Sequence, residues 1–191
     1  MARPPASQPG NVTPVETGTH DLLTPSAWVV RWADRIAPGG RVLDVACGNG
    51  RHARYFAGRG HPVEAVDHEA GKTAALAAVP GITARRADIE GGPWPYGGQH
   101  FAGIVVVNYL HRTLFPHLLA GLAPEGVLIY ETFAAGNERY GRPSNPAHLL
   151  KPGELLEAVR GRLRVLAYED LRVSDPRPAF VQRICAVNVS V

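Results

Sequence analysis

The chain has 191 residues, of which 45% are apolar and 19% charged, and its formal net charge is +3. This length suits one buried α/β core, and the composition excludes a disordered or fibrous protein. No apolar run reaches the roughly 18 to 20 residues that a membrane span needs, and the N-terminus lacks the apolar core of a signal peptide. We therefore expect a cytoplasmic protein with no membrane partner.

The positions of the charged residues and of the two cysteines argue against further classes of protein. Residues 139–191 hold nine Lys/Arg against five Asp/Glu. Such an excess can steer an anionic substrate, although it is more often a solvated surface, and nucleic-acid binders usually concentrate more charge. Cys47 and Cys185 have no metal-ligand spacing. We expect no disulfide, no metal and no nucleic-acid partner, and the oligomeric state is left open.

The chain begins with a predicted arm and a predicted helix. Residues 1–20 are rich in Pro, Gly, Ser and Thr without periodicity, which is typical of a flexible arm and leaves 21–191 as a single domain. Thr24 followed by Pro25 predicts a helix N-cap and first helical residue. The apolar residues behind this cap recur at helical spacing, at Trp28, Val29, Trp32 and Ile36.

Strands and helices then alternate. The predicted strands cover 42–45, 62–67, 82–88 and 101–107, and the last is apolar enough to be a central strand buried on both faces. The predicted helices cover 51–57, 70–79 and 112–122. The third of these should begin near Phe115, because Pro116 is tolerated only in a first turn. This alternation indicates a parallel sheet with helices on both faces.

The C-terminal part departs from the alternation. Residues 124–126 predict a turn into a fifth strand at 127–131, and a long segment without periodicity, 132–151, is typical of a functional or mobile loop. After a short helix at 152–159, strands at 163–173 and 179–191 follow each other with no helix between them, so they should pair antiparallel. The predicted fold class is α/β, a doubly wound, mostly parallel seven-stranded sheet ending in an antiparallel hairpin.

A glycine-rich turn between the first strand and its helix indicates a nucleotide site. Gly48 and Gly50 allow unusual dihedrals and close approach of a ligand. Asp67 ends the second strand, where ribose hydroxyls can donate to it, and Asp88 ends the third, where an adenine amino group can donate. Each acid could instead cap the following helix, but three such features at successive strand ends favour a ligand site.

Asp44 indicates which kind of nucleotide the site would bind. Residues 48–53 also satisfy the G-x-G-x-x-G/A fingerprint of dinucleotide enzymes. Asp44, at the end of the first strand, would repel a diphosphate but suits a ligand that carries an ammonium and a sulfonium. The antiparallel hairpin is also foreign to the simple dinucleotide fold. Both observations favour a nucleoside with an amino-acid tail.

The sequence of residues 42–50, Val-Leu-Asp-Val-Ala-Cys-Gly-Asn-Gly, resembles the first motif of class I S-adenosylmethionine-dependent methyltransferases. Ala65-Val66-Asp67 and Ala87-Asp88-Ile89 resemble the second and third motifs. Residues 107–111 stand at the motif after strand four, and 124–126 resemble the turn before strand five. Parts of 146–170 are similar to the tellurite-resistance type of small methyltransferase. The resemblance implies a Rossmann-like methyltransferase fold with S-adenosylmethionine as cofactor and S-adenosylhomocysteine as product.

The resemblance also implies roles for individual residues. Asp44 and the loop 48–50 would hold the methionine part, Asp67 the ribose and Asp88 with Ile89 the adenine. His68 would stack on the adenine or lie exposed in its loop. The full set of expected cofactor-binding residues is Asp44, Ala46, Cys47, Gly48, Gly50, Asp67, His68, Asp88, Ile89 and Asn108.

The reaction itself needs few special residues, because an in-line methyl transfer depends largely on positioning. Tyr109 and His111 are expected beside the transferred methyl group, with His111 as the candidate base or, alternatively, as a loop cap. Arg139, Tyr140 and Arg142 would clamp an anionic acceptor or form a lid, although Arg142 could simply brace the loop.

Three hypotheses on function follow from these residues. The leading one is a methyltransferase for a small-molecule acceptor. The motif after strand four lacks the Asn-Pro-Pro-Tyr or Asp-Pro-Pro-Tyr of amino-methylating nucleic-acid enzymes, and neither cysteine is placed as a nucleophile for cytosine. An RNA or protein methyltransferase is therefore the second hypothesis. A protein that holds the cofactor without turnover is the third.

Overall fold

A computed structural model describes residues 23–175 and 177–189 of the chain. The predicted arm, 1–20, lies outside these residues. The strands of the described part are β1 (Val42–Val45), β2 (Val63–Asp67), β3 (Ile82–Arg86), β4 (Phe101–Val107), β5 (Leu122–Phe133), β6 (Arg164–Val173) and β7 (Ala179–Val187). Its α-helices are α1 (Ala27–Trp32), α2 (Arg51–Gly58), α3 (Ala70–Ala77), α4 (Phe115–Ala120) and α5 (Glu154–Val159).

All seven strands form one sheet in the order β3-β2-β1-β4-β5-β7-β6. Strands β1 to β5 are parallel, whereas β7 pairs antiparallel with both β5 and β6. The predicted doubly wound sheet and its C-terminal hairpin are therefore confirmed. The chain order reverses at β1, which has β2 on one side and β4 on the other, and ligands of open α/β sheets bind at such a switch point.

Apolar side chains cover both faces of this sheet, as the pattern of the strands predicts. One face packs against α1, α2 and α3 through residues such as Trp28, Phe56 and Leu76. The other packs against α4 and α5 through Leu118 and Leu155. In the described residues, no helix combines the length and the apolar character needed to cross a membrane.

The start of the first helix differs from the prediction. The N-cap is Ser26 rather than Thr24, and its hydroxyl oxygen accepts a hydrogen bond from the Trp28 amide over 3.1 Å. The proline therefore precedes the helix instead of opening it. Both Thr24 and Ser26 have capping side chains, and the tertiary contacts of Ser26, described below, select between them.

Several strands have limits that differ from those predicted; β7, for example, ends at Val187 rather than at residue 191. β3 ends at Arg86, so Asp88 lies two residues beyond it. β5 begins at Leu122 instead of residue 127, and the predicted turn at 124–126 is an irregularity inside this strand, with Glu125 at φ +60°. A Cβ on Gly126 would lie 2.7 Å from the Ala123 carbonyl oxygen, so this kink requires glycine.

The long segment after β5 is anchored to the fold at several points. Ala134 forms a bridge with Leu150, and the Asn137 amide group donates to the Pro143 carbonyl oxygen over 3.0 Å. Arg112 donates to the carbonyl oxygens of Ala147 and Leu149 and pairs with Glu154. Tertiary hydrogen bonds thus order a segment whose sequence has no periodicity.

Candidate functional site

The glycine-rich loop joins β1 to α2 at the carboxyl edge of the sheet. Three of its residues have positive φ, namely Ala46 at +53°, Gly48 at +55° and Gly50 at +74°. A Cβ on Gly50 would lie 2.2 Å from Leu76 Cδ2, whereas one on Gly48 would meet nothing within 4 Å. Gly50 is therefore required by packing against α3, and Gly48 leaves open space in the loop.

Asp44 is buried beneath this loop. Its Oδ2 accepts a hydrogen bond from the Ala53 amide in the first turn of α2 over 2.9 Å. Burial raises the pKa of Asp44 to about 7, while the Ala53 bond and the nearby Arg51 act in the opposite direction. A cationic ligand at the loop would favour the ionised form of this carboxyl group.

Asp67, at the end of β2, is a second buried carboxylate and is bonded directly to the loop. Its Oδ2 accepts from the Gly48 amide over 2.8 Å and its Oδ1 from the Glu69 amide over 3.0 Å. Each carboxylate oxygen can accept a second hydrogen bond. Asp67 can thus hold the loop and still receive donors from a ligand.

Beside these groups lies the first cavity, of about 440 Å³. It is lined by Ala46, Asp67, His68, Arg86, Asp88, Ile89, Glu90 and Tyr109. The structure thus brings together five of the ten expected cofactor-binding residues and one of the two expected catalytic residues. Asp44, Cys47, Gly48 and Gly50 are not among the lining residues; Asp44 supports the loop from the buried side.

Asp88 has a local role as well as a place in the first cavity. It is exposed, and its Oδ1 accepts from the amides of Glu90 and Gly91 over 3.0 and 2.9 Å. These backbone hydrogen bonds, with that from Gly91 first, lower the pKa of Asp88. No helix lies between Asp88 and β4 in the described chain, so these bonds close a turn, and the alternative that Asp88 caps a helix is wrong. Within the described part of the chain, its Oδ2 has no hydrogen-bond donor.

Glu90 is a lining residue that the sequence did not single out. It accepts a hydrogen bond from the Tyr109 hydroxyl over 3.1 Å, and its Oε2 lies 4.0 Å from His111 Nδ1. It follows directly on the third motif, which is the signal that could have identified it. His111 lies beside Glu90 but does not line the first cavity.

A second cavity, of about 270 Å³, lies at the carboxyl ends of β4 and β5 and the start of β7. Asn108, an expected cofactor-binding residue with φ +57°, lines it, and its neighbour Tyr109 lines the first cavity. Two consecutive residues of the chain thus line different cavities. The segment 24–27 forms part of the wall of the second cavity, together with Arg51 at the start of α2.

A network of hydrogen bonds and ion pairs includes several residues that line this second cavity. Ser26 donates its amide to His52 Nε2 over 3.1 Å and its hydroxyl to Glu131 Oε1 over 3.0 Å. Glu131 Oε2 lies 2.5 Å from Arg183 Nε. Burial lowers the pKa of His52 to about 3, so its ring is neutral and Nε2 can accept the hydrogen bond.

The three residues expected to bind an acceptor do not line the second cavity. Arg139 is exposed, and the Tyr140 ring lies 5.9 Å from the Phe180 ring with the Arg172 guanidinium 5.3 Å from it. Arg142 is exposed and precedes a cis peptide bond to Pro143. Within the described part of the chain, Arg51, Arg177 and Arg183 are the arginines of this cavity.

Glu131 could have been found from sequence, because it ends a predicted buried strand as Asp67 does. The positions of Arg177 and Arg183 depend on how the hairpin returns to β5. No local pattern marks them.

Comparison with known proteins agrees with this architecture. The family model described as "Tellurite resistance protein TehB" matches residues 19–123. TehB from Haemophilus influenzae has a similar structure, with a TM-score of 0.70 and 19% identity over 84% of this chain. The chain spans 61% of that protein. No curated protein sequence matches the chain.

Two further structures share the fold. An S-adenosylmethionine-dependent methyltransferase from Mesorhizobium loti has a TM-score of 0.65 and 20% identity, covering 84% of this chain and 98% of its own. The glycopeptide N-methyltransferase MtfA, complexed with S-adenosylhomocysteine, has a TM-score of 0.59 and 19% identity over 84% of this chain and 88% of its own. The chain therefore belongs to the TehB tellurite-resistance family and has the fold of S-adenosylmethionine-dependent methyltransferases.

Proposed function

We propose that the chain is an S-adenosylmethionine-dependent methyltransferase whose acceptor is a small molecule. The observation that carries this proposal is the hydrogen bond between Asp67 and the Gly48 amide, which joins the ribose-type acid and the glycine loop into one unit at the edge of the first cavity. The loop and this acid are the two parts that a nucleoside with an amino-acid tail requires.

The residues present fit this cofactor. The open space at Gly48 leaves room for close approach to the loop, and the buried Asp44 carboxyl provides an acceptor or a negative charge for an ammonium group. Asp67 would accept from the ribose hydroxyls, and Asp88 and Ile89 would contact the adenine in the first cavity. When bound, the cofactor supplies a methyl group on a sulfonium, which needs no activation by the protein.

The second cavity supports a small acceptor. Asn108, next to Tyr109 of the first cavity, lines it, and the segment 24–27 and residues of β6 and β7 form part of its wall. A volume of about 270 Å³ is just below the usual range of ligand pockets, roughly 300 to 1,000 Å³. A folded RNA or protein would have to present its reacting group on a narrow extension to enter it.

The chain's own residues would contribute mainly positioning and exclusion of water. Tyr109, on the lining of the first cavity and bonded to Glu90, is placed to orient ligands there. His111 would act as a base if Glu90 passed the acceptor's proton to it. It would act directly if a different side-chain rotamer brought its ring to the first cavity. A nucleophilic acceptor needs no base, so we expect His111→Gln to retain part of the activity.

The proposal is tested by calorimetry with S-adenosylmethionine, S-adenosylhomocysteine and NAD. Wild type should bind both S-adenosyl compounds, and Asp67→Ala should weaken that binding at least tenfold because two charge-assisted hydrogen bonds are lost. Asp34→Ala is the control, since Asp34 is an exposed acid that pairs with Arg59.

Each other outcome identifies a different function. Tight NAD binding without S-adenosyl binding would show that the proposal is wrong. Cofactor binding with no methyl transfer to a panel of acceptors would favour a non-catalytic binding protein. Binding of tRNA or rRNA that weakens steeply with salt would favour an RNA methyltransferase.

A further inference from the structure

The lining of the second cavity is amphipathic. Its apolar part comes from Phe133, Val173, Ala179 and Val181, on the last three strands of the sheet. Its charged part consists of Arg51, Arg177, Arg183, Glu131 and Asp175. The balance between these charges decides which kind of molecule the cavity accepts.

Two of the charges are neutralised within the protein. Arg183 Nε lies 2.5 Å from Glu131 Oε2, and Arg183 Nη1 lies 3.3 Å from Glu169 Oε2. The other oxygen of Glu131 accepts from the Ser26 hydroxyl. The charge of Arg183 is therefore offset by Glu131 and Glu169 within the protein.

Arg51 and Arg177 differ, because neither has a carboxylate within ion-pair distance among residues 23–175 and 177–189. Arg51 is half-buried, and its Nη1 lies 3.5 Å from the Thr24 carbonyl oxygen. The Arg177 guanidinium lies 5.9 Å from the centre of the Phe133 ring. Arg177 and Asp175 are both exposed, so solvent screens the interaction of either charge with its neighbours.

Resting on the proposed function, we infer that the methyl acceptor is a small organic acid, whose carboxylate is bound by Arg51 and Arg177. Guanidinium groups bind carboxylates with paired hydrogen bonds. The apolar body of the acid would pack against Phe133 and its neighbours. An inorganic anion would leave that apolar lining in contact with water.

The size of the cavity limits the acid. A volume of about 270 Å³ equals that of about nine water molecules at roughly 30 Å³ each. This is the scale of benzoate, which has one carboxylate and one flat apolar ring. Benzoate is therefore a suitable probe, and benzamide is its neutral counterpart of nearly the same shape.

The test measures binding of benzoate, benzamide and inorganic sulfate to the protein, with and without saturating S-adenosylhomocysteine. Benzoate should bind at least tenfold more tightly than benzamide or sulfate, because only benzoate uses both the arginines and the apolar wall. Equal binding of benzoate and benzamide would overturn the inference. Tighter binding of sulfate than of benzoate would show a site for inorganic anions instead.

Single variants locate the site. Arg51→Gln and Arg177→Gln should each weaken benzoate binding by about tenfold, as expected for loss of a charged hydrogen bond. Arg54→Gln, on the same helix as Arg51, and Arg172→Gln, on the same hairpin as Arg177, do not line the cavity and should leave binding unchanged. Equal losses in these controls would mean a general charge effect and would contradict the inference.

The cofactor has a carboxylate of its own, so the same variants are titrated with S-adenosylhomocysteine. Unchanged cofactor affinity in Arg51→Gln, with weaker benzoate binding, supports an acceptor site. Weaker cofactor binding with unchanged benzoate binding assigns Arg51 to the cofactor and overturns the inference. If wild type binds no S-adenosyl compound, the proposed function fails, whereas benzoate binding by the free protein still decides whether the cavity is an organic-acid site.

Discussion

At the residue scale, two buried carboxyl groups distinguish the candidate site. Asp44 and Asp67 are almost completely inaccessible to solvent, which is unusual for aspartate unless it is hydrogen-bonded. Each accepts an amide hydrogen, from Ala53 and from Gly48 and Glu69 respectively. Among the described residues, the one basic side chain within ion-pair distance of either carboxyl group is His68, 3.4 Å from Asp67. A cationic ligand would complete this arrangement.

The raised pKa of Asp44 predicts a specific effect of pH on stability. The folded protein keeps this proton up to about pH 7, whereas an unfolded aspartate loses it near pH 3.9. Between these values the native state binds more protons, so the free energy of unfolding should fall as pH rises. Asp44→Asn should therefore match wild type near pH 4 and be more stable by up to about 4 kcal/mol above pH 7.

Denaturant titrations of both proteins at pH 4, 5, 6, 7 and 8 measure this difference. The relevant quantity is the difference in the free energy of unfolding between wild type and variant at each pH. Contributions from other titrating groups cancel in this difference, because they are the same in both proteins. A difference that does not change with pH would show that Asp44 has an ordinary pKa. We expect the same variant to bind S-adenosylmethionine less tightly, because its amide carries no negative charge.

At the element scale, the segment before α1 connects the N-terminal helix to the wall of the second cavity. Ser26 makes three hydrogen bonds there, to His52, Glu131 and the Trp28 amide. The Trp28 indole then donates to the Ile184 carbonyl oxygen on β7 over 3.3 Å. These contacts join α1 to α2, β5 and β7. The helix alone, with six residues, is too short to be stable in isolation.

Ser26→Ala tests the importance of this connection. The variant loses the cap of α1 and the donor to Glu131, so we expect the free energy of unfolding to fall by about 1 to 2 kcal/mol. Ser26→Thr keeps a hydroxyl and should stay within about 0.5 kcal/mol of wild type. Chemical denaturation measures both, and faster exchange of the Trp28 amide in Ser26→Ala would locate the effect. Equal stability of the two variants would contradict the assigned role of the hydroxyl.

At the scale of the whole molecule, the sheet separates two apolar layers, and both cysteines belong to the layer beneath α1, α2 and α3. Cys47 lies in the glycine loop and Cys185 on β7, and both are buried. Burial raises the pKa of both thiols, to about 12 for Cys185. This layer therefore shields both thiols from solvent, although they lie far apart in sequence.

Thiol labelling with an aromatic disulfide reports on this packing. Both cysteines should react at least a hundredfold more slowly in the native protein than in denaturant, because the reactive thiolate is disfavoured and inaccessible. S-adenosylhomocysteine should slow Cys47, next to Gly48, more than Cys185. Cys47→Ser and Cys185→Ser each leave one thiol to observe. Rapid labelling of either thiol in the native protein would show that this layer opens readily.

Much of the fold was predictable because its elements have strong local patterns. β1 and β4 were predicted with the limits that the structure shows, since each is an apolar run bounded by turn residues. The start of α4 at Phe115 followed from the restriction that Pro116 imposes. The limits of β5 and the order of β6 and β7 were harder, because they depend on pairing between segments distant in sequence.

Some residues of the candidate site were likewise predictable from local sequence, and others were not. Asp67 and Gly48 occupy strand ends and turns, positions that the sequence specifies locally, and the structure joins them by a hydrogen bond. Glu90 and Glu131 have roles that arise from partners elsewhere in the chain, such as Tyr109 and Arg183. Because these partners are distant in sequence, only the structure reveals the contacts of Glu90 and Glu131.

The alternating strands and helices, the glycine loop and the acids that follow successive strands can be predicted from local sequence. These features depend on residues close together in the chain, where periodicity and turn chemistry dominate. In contrast, it is long-range packing that makes Ser26 rather than Thr24 the cap of α1 and brings Arg51 and Arg177, rather than Arg139 and Arg142, to the second cavity. Those choices depend on hydrogen bonds and contacts between residues more than twenty positions apart, which no local pattern encodes.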